Sequence, residues 1–260
     1  MGSLLISFGN ALNNSIMKEN SKIALVTGAN KGIGFATAKQ LLGLGYFVYV
    51  GARDEKKGQE AVQQLNALGF TKAALLVIDV ADLRSVTAAA ELLSSQTEKL
   101  DVLINNAAIG GSQPQSASSV DIQVLRDVYE TNFFGTVQVT QAMLPLMQRS
   151  QAPRIVNLSS ELGSLSYHYR EKSAYFASNL MAYSTSKTAI NAFTLMLAIE
   201  MQHTAFKINC VTPGYTATDL TNGSGSQTPD EAAQVIVKYA TLGQNGPSGQ
   251  FFGSTGQLSW

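Results

Sequence analysis

The chain carries two near-copies of one phrase close together, Ala-Tyr-Phe-Ala-Ser-Asn at 174–179 and Ala-Tyr-Ser-Thr-Ser-Lys at 182–187. Each offers a phenol with a polar residue four positions on, a spacing that shares one face of a helix. The second pair, Tyr183 and Lys187, joins a weak acid to an ammonium; the first, Tyr175 and Asn179, joins it to a neutral amide. A phenol can hand a proton to a substrate oxygen, but a reference pKa near 10 makes it a poor base at neutral pH. Lowering that value by about two to three units needs roughly 3 to 4 kcal/mol of preferential stabilisation of the phenolate. A nearby cation supplies this and an amide does not. Tyr183 is therefore the acid/base candidate, with Lys187 as its cation.

A second stretch has the form of a phosphate cradle. Thr-Gly-Ala-Asn-Lys-Gly-Ile-Gly, residues 27–34, follows an apolar run at 23–26 and opens a stretch of helical apolar spacing. Gly28 lets the chain turn tightly. Gly32 and Gly34 let backbone approach a pyrophosphate and pack helix on sheet, with the helix N-terminus aimed at the anion. Asn30, Lys31 and Ile33 fill the turn between them. The next apolar run ends in Val-Gly-Ala-Arg-Asp, so Ala52 leaves the strand end without a carboxylate and Arg53 follows. A ribose 2′-hydroxyl wants a carboxylate there, and a 2′-phosphate wants cations. Arg53 offers a two-pronged guanidinium and Lys31 a point charge, which favours NADP(H) over NAD(H).

The elements that must position these groups alternate along the chain. Apolar runs at 23–26, 46–50, 73–78, 101–105, 154–158 and 207–211 predict strands, and Gly-Pro-Ser-Gly-Gln-Phe-Phe-Gly-Ser at 246–254 predicts a final one. Helical periods fall between them, including one long helix from about Val120 to Arg149 and another from about Tyr183 to His203. Apolar strands without alternation are buried on both faces, as in a parallel sheet between helices. The expectation is α/β: a single-domain Rossmann fold over residues 22–260, with a doubly wound parallel sheet of about seven strands and helices on both faces. Residues 1–21 read as a poorly ordered N-terminal extension.

Composition excludes several functions. Net charge is zero and no basic cluster appears, so neither nucleic acid nor an anionic membrane is an expected partner. No stretch approaches membrane-spanning length. Cys210 is the one cysteine, so no intramolecular disulfide can form, and the expected location is cytoplasmic. The two histidines, His168 and His203, belong to no cluster with ligand spacing, so no metal is expected.

With these motifs in this order, the sequence resembles the classical short-chain dehydrogenases/reductases over about residues 22–253, whose glycine motif is Thr-Gly-x-x-x-Gly-x-Gly. The resemblance implies a carbonyl reductase that moves hydride reversibly between NADP(H) and a ketone or aldehyde. It makes Tyr183 the acid/base and gives Lys187 a second role on the nicotinamide ribose. Ser160, rather than Ser159, matches the serine that hydrogen-bonds the substrate oxygen, and Asn132 matches the asparagine that holds a proton-relaying water toward Lys187. Asp79 and Val80 match the adenine-contacting position. Asn105, Asn106 and Ala107 match the Asn-Asn-Ala-Gly turn, with Ala108 in place of the glycine. Pro213 and Gly214 end a strand, Thr218 matches a threonine that holds the nicotinamide carboxamide or pyrophosphate, and residues 219–228 suit a mobile lid.

Ser160 and Tyr183 lie 23 residues apart, a longer gap than the classical arrangement. Such an insertion resembles the carbonyl-reductase subgroup, borders the substrate pocket and can obstruct the usual dimer face. A homodimer or tetramer is implied, or a monomer if that face is blocked. Two other readings use the same residues: an NADP-dependent hydroxysteroid or sugar-alcohol dehydrogenase, and a non-catalytic NADP-sensing regulator. An intact Asn132, Ser160, Tyr183 and Lys187 set argues against the regulator, since a sensor has no use for proton-transfer groups.

Overall fold

The computed structural model describes residues 21–171 and 180–260, so Tyr175 and Asn179 lie outside the described residues. Among the described residues eight strands make one sheet: β1 Ile23–Val26, β2 Phe47–Ala52, β3 Ala73–Val77, β4 Val102–Asn105, β5 Arg154–Leu158, β6 Lys207–Val211, β7 Phe251–Gly253 and β8 Gly256–Leu258. Their order is β3-β2-β1-β4-β5-β6-β7-β8. All neighbours through β7 run parallel, and β8 folds back antiparallel, pairing Leu258 with Phe251. The order reverses between β1 and β4, and in open α/β sheets ligands bind at the carboxyl ends of the strands beside such a switch point.

The helices are α1 Gly32–Gly43, α2 Glu55–Ala67, α3 Leu83–Gln96, α4 Ile122–Tyr129, α5 Gly135–Met147, α6 Leu165–Glu171, α7 Met181–Glu200 and α8 Pro229–Ala240. Successive strand residues serve opposite layers. Ala24, Val26, Ile104 and Val156 pack with Leu41, Leu65 and Ile236, while Ile23, Leu25, Leu103 and Ile155 pack with Leu93, Met143 and Leu197. This two-sided burial is why the strands read as unbroken apolar runs. Asp54 and Asp82 cap α2 and α3 by accepting the N–H groups of Lys57 and Arg84.

The structure refines the sequence expectation in four places. Among the described residues the sheet has one strand beyond the seven expected, because three-residue β8 is too short to leave a pattern. The long helix is interrupted by a π-helical turn, Glu130–Phe134, between α4 and α5. Within the insertion, α6 is helical. Helix α8 was not anticipated, although Thr228, Pro229 and Glu231 spell its start: Thr228 N donates to Glu231 Oε2 at 2.8 Å, and Pro229 opens the first turn.

Candidate active site

The phosphate turn sits where β1 meets α1, at the switch point. Gly28 and Gly32 both adopt left-handed backbone, at φ 62° and 57°. Gly34 has no room for a side chain: an added Cβ would stand 2.5 Å from both Asn106 Nδ2 and Gly28 O. Asn106 staples the turn in place, donating from Nδ2 to Thr27 O at 2.8 Å and Gly28 O at 3.1 Å. Thr27 Oγ1 accepts in return from the N–H groups of Asn106 and Ala107 at 3.0 and 3.1 Å. Ala108 is not in left-handed backbone, so the alanine is accommodated without strain.

Lys31 precedes α1 but does not cap it with a side-chain bond, and the first turn holds no acidic residue. A helix N-terminus left this way suits an anion. Ile33 packs into the core layer behind the turn, and Asn30 is half-buried within it. Ala29 N donates to Gly51 O at 2.9 Å, which ties the turn to the end of β2. Two residues beyond each anchor stand Lys31 and Arg53, both exposed, with buried Ala52 supplying no carboxylate. The end of β2 therefore offers a guanidinium and, at Ala52, no carboxylate. After β3, Asp79 accepts from Ala81 N at 3.0 Å, and buried Val80 packs against Gly135.

The tyrosine and lysine lie on α7, one turn apart. Lys187 is 2% exposed, donates from Nζ to Leu158 O at 2.8 Å, and stands 5.5 Å from the centre of the Tyr183 ring. Burial pulls its ammonium down to about 8. Tyr183 is hydrogen-bonded to Ser160, and burial pushes its phenol up to about 12 against the lowering effect of that bond. In this chain by itself burial sets the direction, and the opposing pull comes from the Ser160 hydroxyl. At neutral pH the Tyr183 phenol stays protonated.

Ser160 closes β5 and caps a short 3-10 turn, Glu161–Gly163, accepting from Leu162 N at 3.2 Å. Ser159 is buried beneath it and points its hydroxyl to Lys187 O at 3.4 Å. The turn lies hard against α7 because residue 163 is glycine: a Cβ there would come within 2.8 Å of the Lys187 backbone. Gly163 O takes hydrogen bonds from Thr188 Oγ1 at 3.0 Å and Asn191 Nδ2 at 3.1 Å. Gly163 was not singled out from the sequence, where nothing distinguishes it from a loop glycine.

Asn132 occupies the π-helical turn and is fully buried. Its Oδ1 accepts from Ile109 N at 2.8 Å, and its Nδ2 donates to Ile109 O at 3.0 Å and Ser186 Oγ at 3.1 Å. It brackets the loop after β4 and touches the residue beside Lys187. π-bulges inside α-helices recur at functional sites.

Beyond β6, Pro213 O accepts from Gln227 Nε2, and Gly214 adopts φ 84°. Thr218 packs over the phosphate turn, its methyl 3.6 Å from where a Cβ on Gly32 would lie. Its neighbour Asp219, missed in the sequence reading, forms an exposed ion pair with Lys31. The segment expected as a mobile lid closes on itself: Tyr215 Oη and Ser224 Oγ are 2.6 Å apart, and Ala217 N donates to Gln227 O at 2.9 Å. Among the described residues no His/Cys/Asp/Glu cluster could hold a metal ion, and no helix is long and apolar enough to cross a membrane.

The chain is similar to known proteins in sequence and in fold. The family model described as short chain dehydrogenase matches residues 22–229. The (-)-isopiperitenone reductase of Mentha piperita is 34% identical, over 91% of this chain and 97% of that protein. The structure of salutaridine reductase from Papaver somniferum superposes with a TM-score of 0.78 at 30% identity, covering 90% of this chain and 99% of the other. An NADPH-bound carbonyl reductase from chicken fatty liver superposes with a TM-score of 0.80 at 26% identity, covering 92% and 99%.

Proposed function

The chain belongs to the short-chain dehydrogenase family, and from that premise we propose that it is an NADPH-dependent reductase of a ketone or aldehyde, reversible as an alcohol dehydrogenase. One observation carries this reading: the Tyr183 ring stands 5.5 Å from the ammonium of buried Lys187, one helical turn on, with Ser160 as a hydrogen-bond partner of the phenol.

In this reading Ser160 and Tyr183 offer two hydroxyl donors to one carbonyl oxygen, which polarises the carbon beneath it. NADPH, when bound, supplies the hydride to that carbon. Tyr183 Oη gives its proton to the oxygen as the C–O bond becomes single, so the alcohol leaves neutral. The phenolate left behind is favoured by the Lys187 ammonium. Asn132 holds the loop after β4 and the Lys187 turn in register.

Gly28, Asn30, Gly32, Ile33 and Gly34 would cradle the pyrophosphate, with Arg53 and Lys31 on the 2′-phosphate. Asp79 and Val80 would border the adenine, and Asn106 would keep the turn in shape. Tyr183 and Lys187 would face the nicotinamide ribose, and Pro213, Gly214 and Thr218 would border the cofactor, Thr218 at its carboxamide or pyrophosphate. The names of the three relatives above are all those of reductases, and one of those proteins holds NADPH, which supports the direction and the cofactor. The single, buried Cys210 suits a reducing cytoplasm.

A panel of aldehydes, cyclic ketones and diketones, followed by NADPH absorbance, tests the reading. Turnover with NADPH well above that with NADH is expected. Flat traces across the panel with NADPH binding intact would replace it with the regulator. A preference for NADH would overturn the cofactor assignment.

A further inference from the structure

We propose that Gln115 is a positioning residue for the proton transfer, clamping the loop after β4 to the first turn of α7 and so fixing where Tyr183 stands. The inference rests on the reading of Tyr183 as the proton donor. Helix α7 starts without a side-chain cap of its own at Leu180, and the first N–H groups of a helix need outside acceptors. Gln115 supplies two of them from 68 residues away in sequence. Its backbone carbonyl accepts from Met181 N at 3.1 Å, and its Oε1 accepts from Tyr183 N at 3.2 Å.

The same side chain works in the other direction. Gln115 Nε2 donates to Gly110 O at 2.6 Å and Ser112 O at 3.2 Å, in the loop whose Ile109 is bracketed by Asn132. Gln115 has no exposed surface, so losing either end would strand a buried polar group. The amide thus joins the two walls that flank Ser160 and Tyr183. The later turns of α7 are held separately, by Lys187 on Leu158 O and by Thr188 and Asn191 on Gly163 O. Releasing Gln115 therefore frees the tyrosine's turn while Lys187 stays anchored. Misplacement of a reacting group by about 1 Å can cost on the order of a hundredfold in rate.

Side-chain chemistry separates the variants. Gln115→Met removes acceptor and donors, whereas Gln115→Glu keeps the acceptor and loses the two donations. The full chain with each substitution, alongside Tyr183→Phe, is compared for amide hydrogen exchange over residues 181–184, NADPH affinity, kcat and KM. Gln115→Met is expected to speed exchange in that turn and to lower kcat about ten- to a hundredfold, with NADPH affinity within about twofold of wild type. Gln115→Glu is expected to keep exchange slow and to lose less in kcat.

Unchanged exchange in Gln115→Met would overturn the clamp. Faster exchange with full kcat would make Gln115 structural only. If Gln115→Met does not fold, full kcat in Gln115→Glu, which has lost the two donations, overturns the proposal by itself. Retained turnover in Tyr183→Phe would remove the reaction reading, a failure visible without either Gln115 variant.

Discussion

The two ends of the central strands bury charge in opposite ways. At the amino ends, Arg154 is 3% exposed and its guanidinium donates to Leu242 O and Pro153 O, both at 2.8 Å, and to Ala205 O at 3.1 Å. Asp101 beside it accepts from Ile23 N at 2.8 Å and Ser150 Oγ at 2.6 Å, and lies 3.3 Å from Lys99 Nζ. At the carboxyl ends, Lys187 is buried as deeply, yet among the described residues its ammonium has one carbonyl acceptor, Leu158 O. A buried charge is expensive unless its hydrogen-bonding capacity is met. The lower cluster meets most of it and works as a rivet. The upper end leaves capacity unmet, and that is where a substrate or cofactor has something to bind.

Breaking the upper end should abolish chemistry and spare the fold. Tyr183→Phe removes one hydroxyl, so NADPH binding should survive while turnover falls by about 10² to 10⁴. Lys187→Met should be comparably inactive, measured at saturating NADPH. It should also melt at a higher temperature than wild type near neutral pH. The folded-state pKa of Lys187 is lowered from 10.5 to about 8, so the folded chain releases this proton before the unfolded chain does. The whole cost of burying the ammonium, roughly 3 kcal/mol at about 1.4 per unit, is therefore present below about pH 8. It fades as pH rises toward 10.5, the unfolded value. The gain from Lys187→Met should shrink accordingly when melting is repeated at about pH 10. A variant less stable than wild type at both pH values would mean that Lys187 is a rivet like Arg154.

The lower end should respond the other way. Arg154→Met leaves the carbonyls of Leu242, Pro153 and Ala205 without their donor, a loss of about 3 kcal/mol or more in stability. Turnover per folded molecule should stay at the wild-type value. Thermal melting and kcat measured on one preparation decide it, and a fall in kcat would dissolve the contrast.

The difference in kind also explains what the sequence disclosed. Strands buried on both faces leave apolar runs, and Tyr183 and Lys187 share a helix face by local spacing, so both were legible. The glycine turn was legible because Gly28 needs left-handed backbone and Gly34 has no space for a side chain. The loop clamp of Gln115, the close approach of Gly163 to Lys187 and the ion pair of Asp219 with Lys31 were not. Each joins segments far apart in the chain, and no local pattern marks the residue. The π-helical turn around Asn132 escaped for a related reason: its apolar residues keep a helical rhythm, and the bulge is settled by what Asn132 reaches on Ile109 and Ser186.

The cations Lys31 and Arg53 are exposed, and their effects should be smaller than those of either buried end. Arg53→Ala should weaken NADPH by about ten- to a hundredfold, as expected for one charge-assisted contact to phosphate, and leave NADH nearly unchanged. Titration of both cofactors by fluorescence measures the ratio. An equal loss for both would take Arg53 off the 2′-phosphate.

The smallest expected effect tests how free Lys31 is. Lys31 forms an ion pair with Asp219, both side chains being largely exposed. The pair lowers the pKa of the Asp219 carboxyl, first through the Lys31 hydrogen bond and then through its charge. A phosphate arriving at Arg53 would have to share Lys31 with that carboxylate. Exposed pairs hold weakly and are screened by salt. Asp219→Asn should therefore tighten NADPH by only about two- to fivefold, with a gain that shrinks as ionic strength rises and is absent for NADH. Weaker NADPH binding in Asp219→Asn would carry the opposite lesson. The ion pair would then be a strut that holds Thr218 over the phosphate turn, and the exposed pair would share the logic of the buried rivet below.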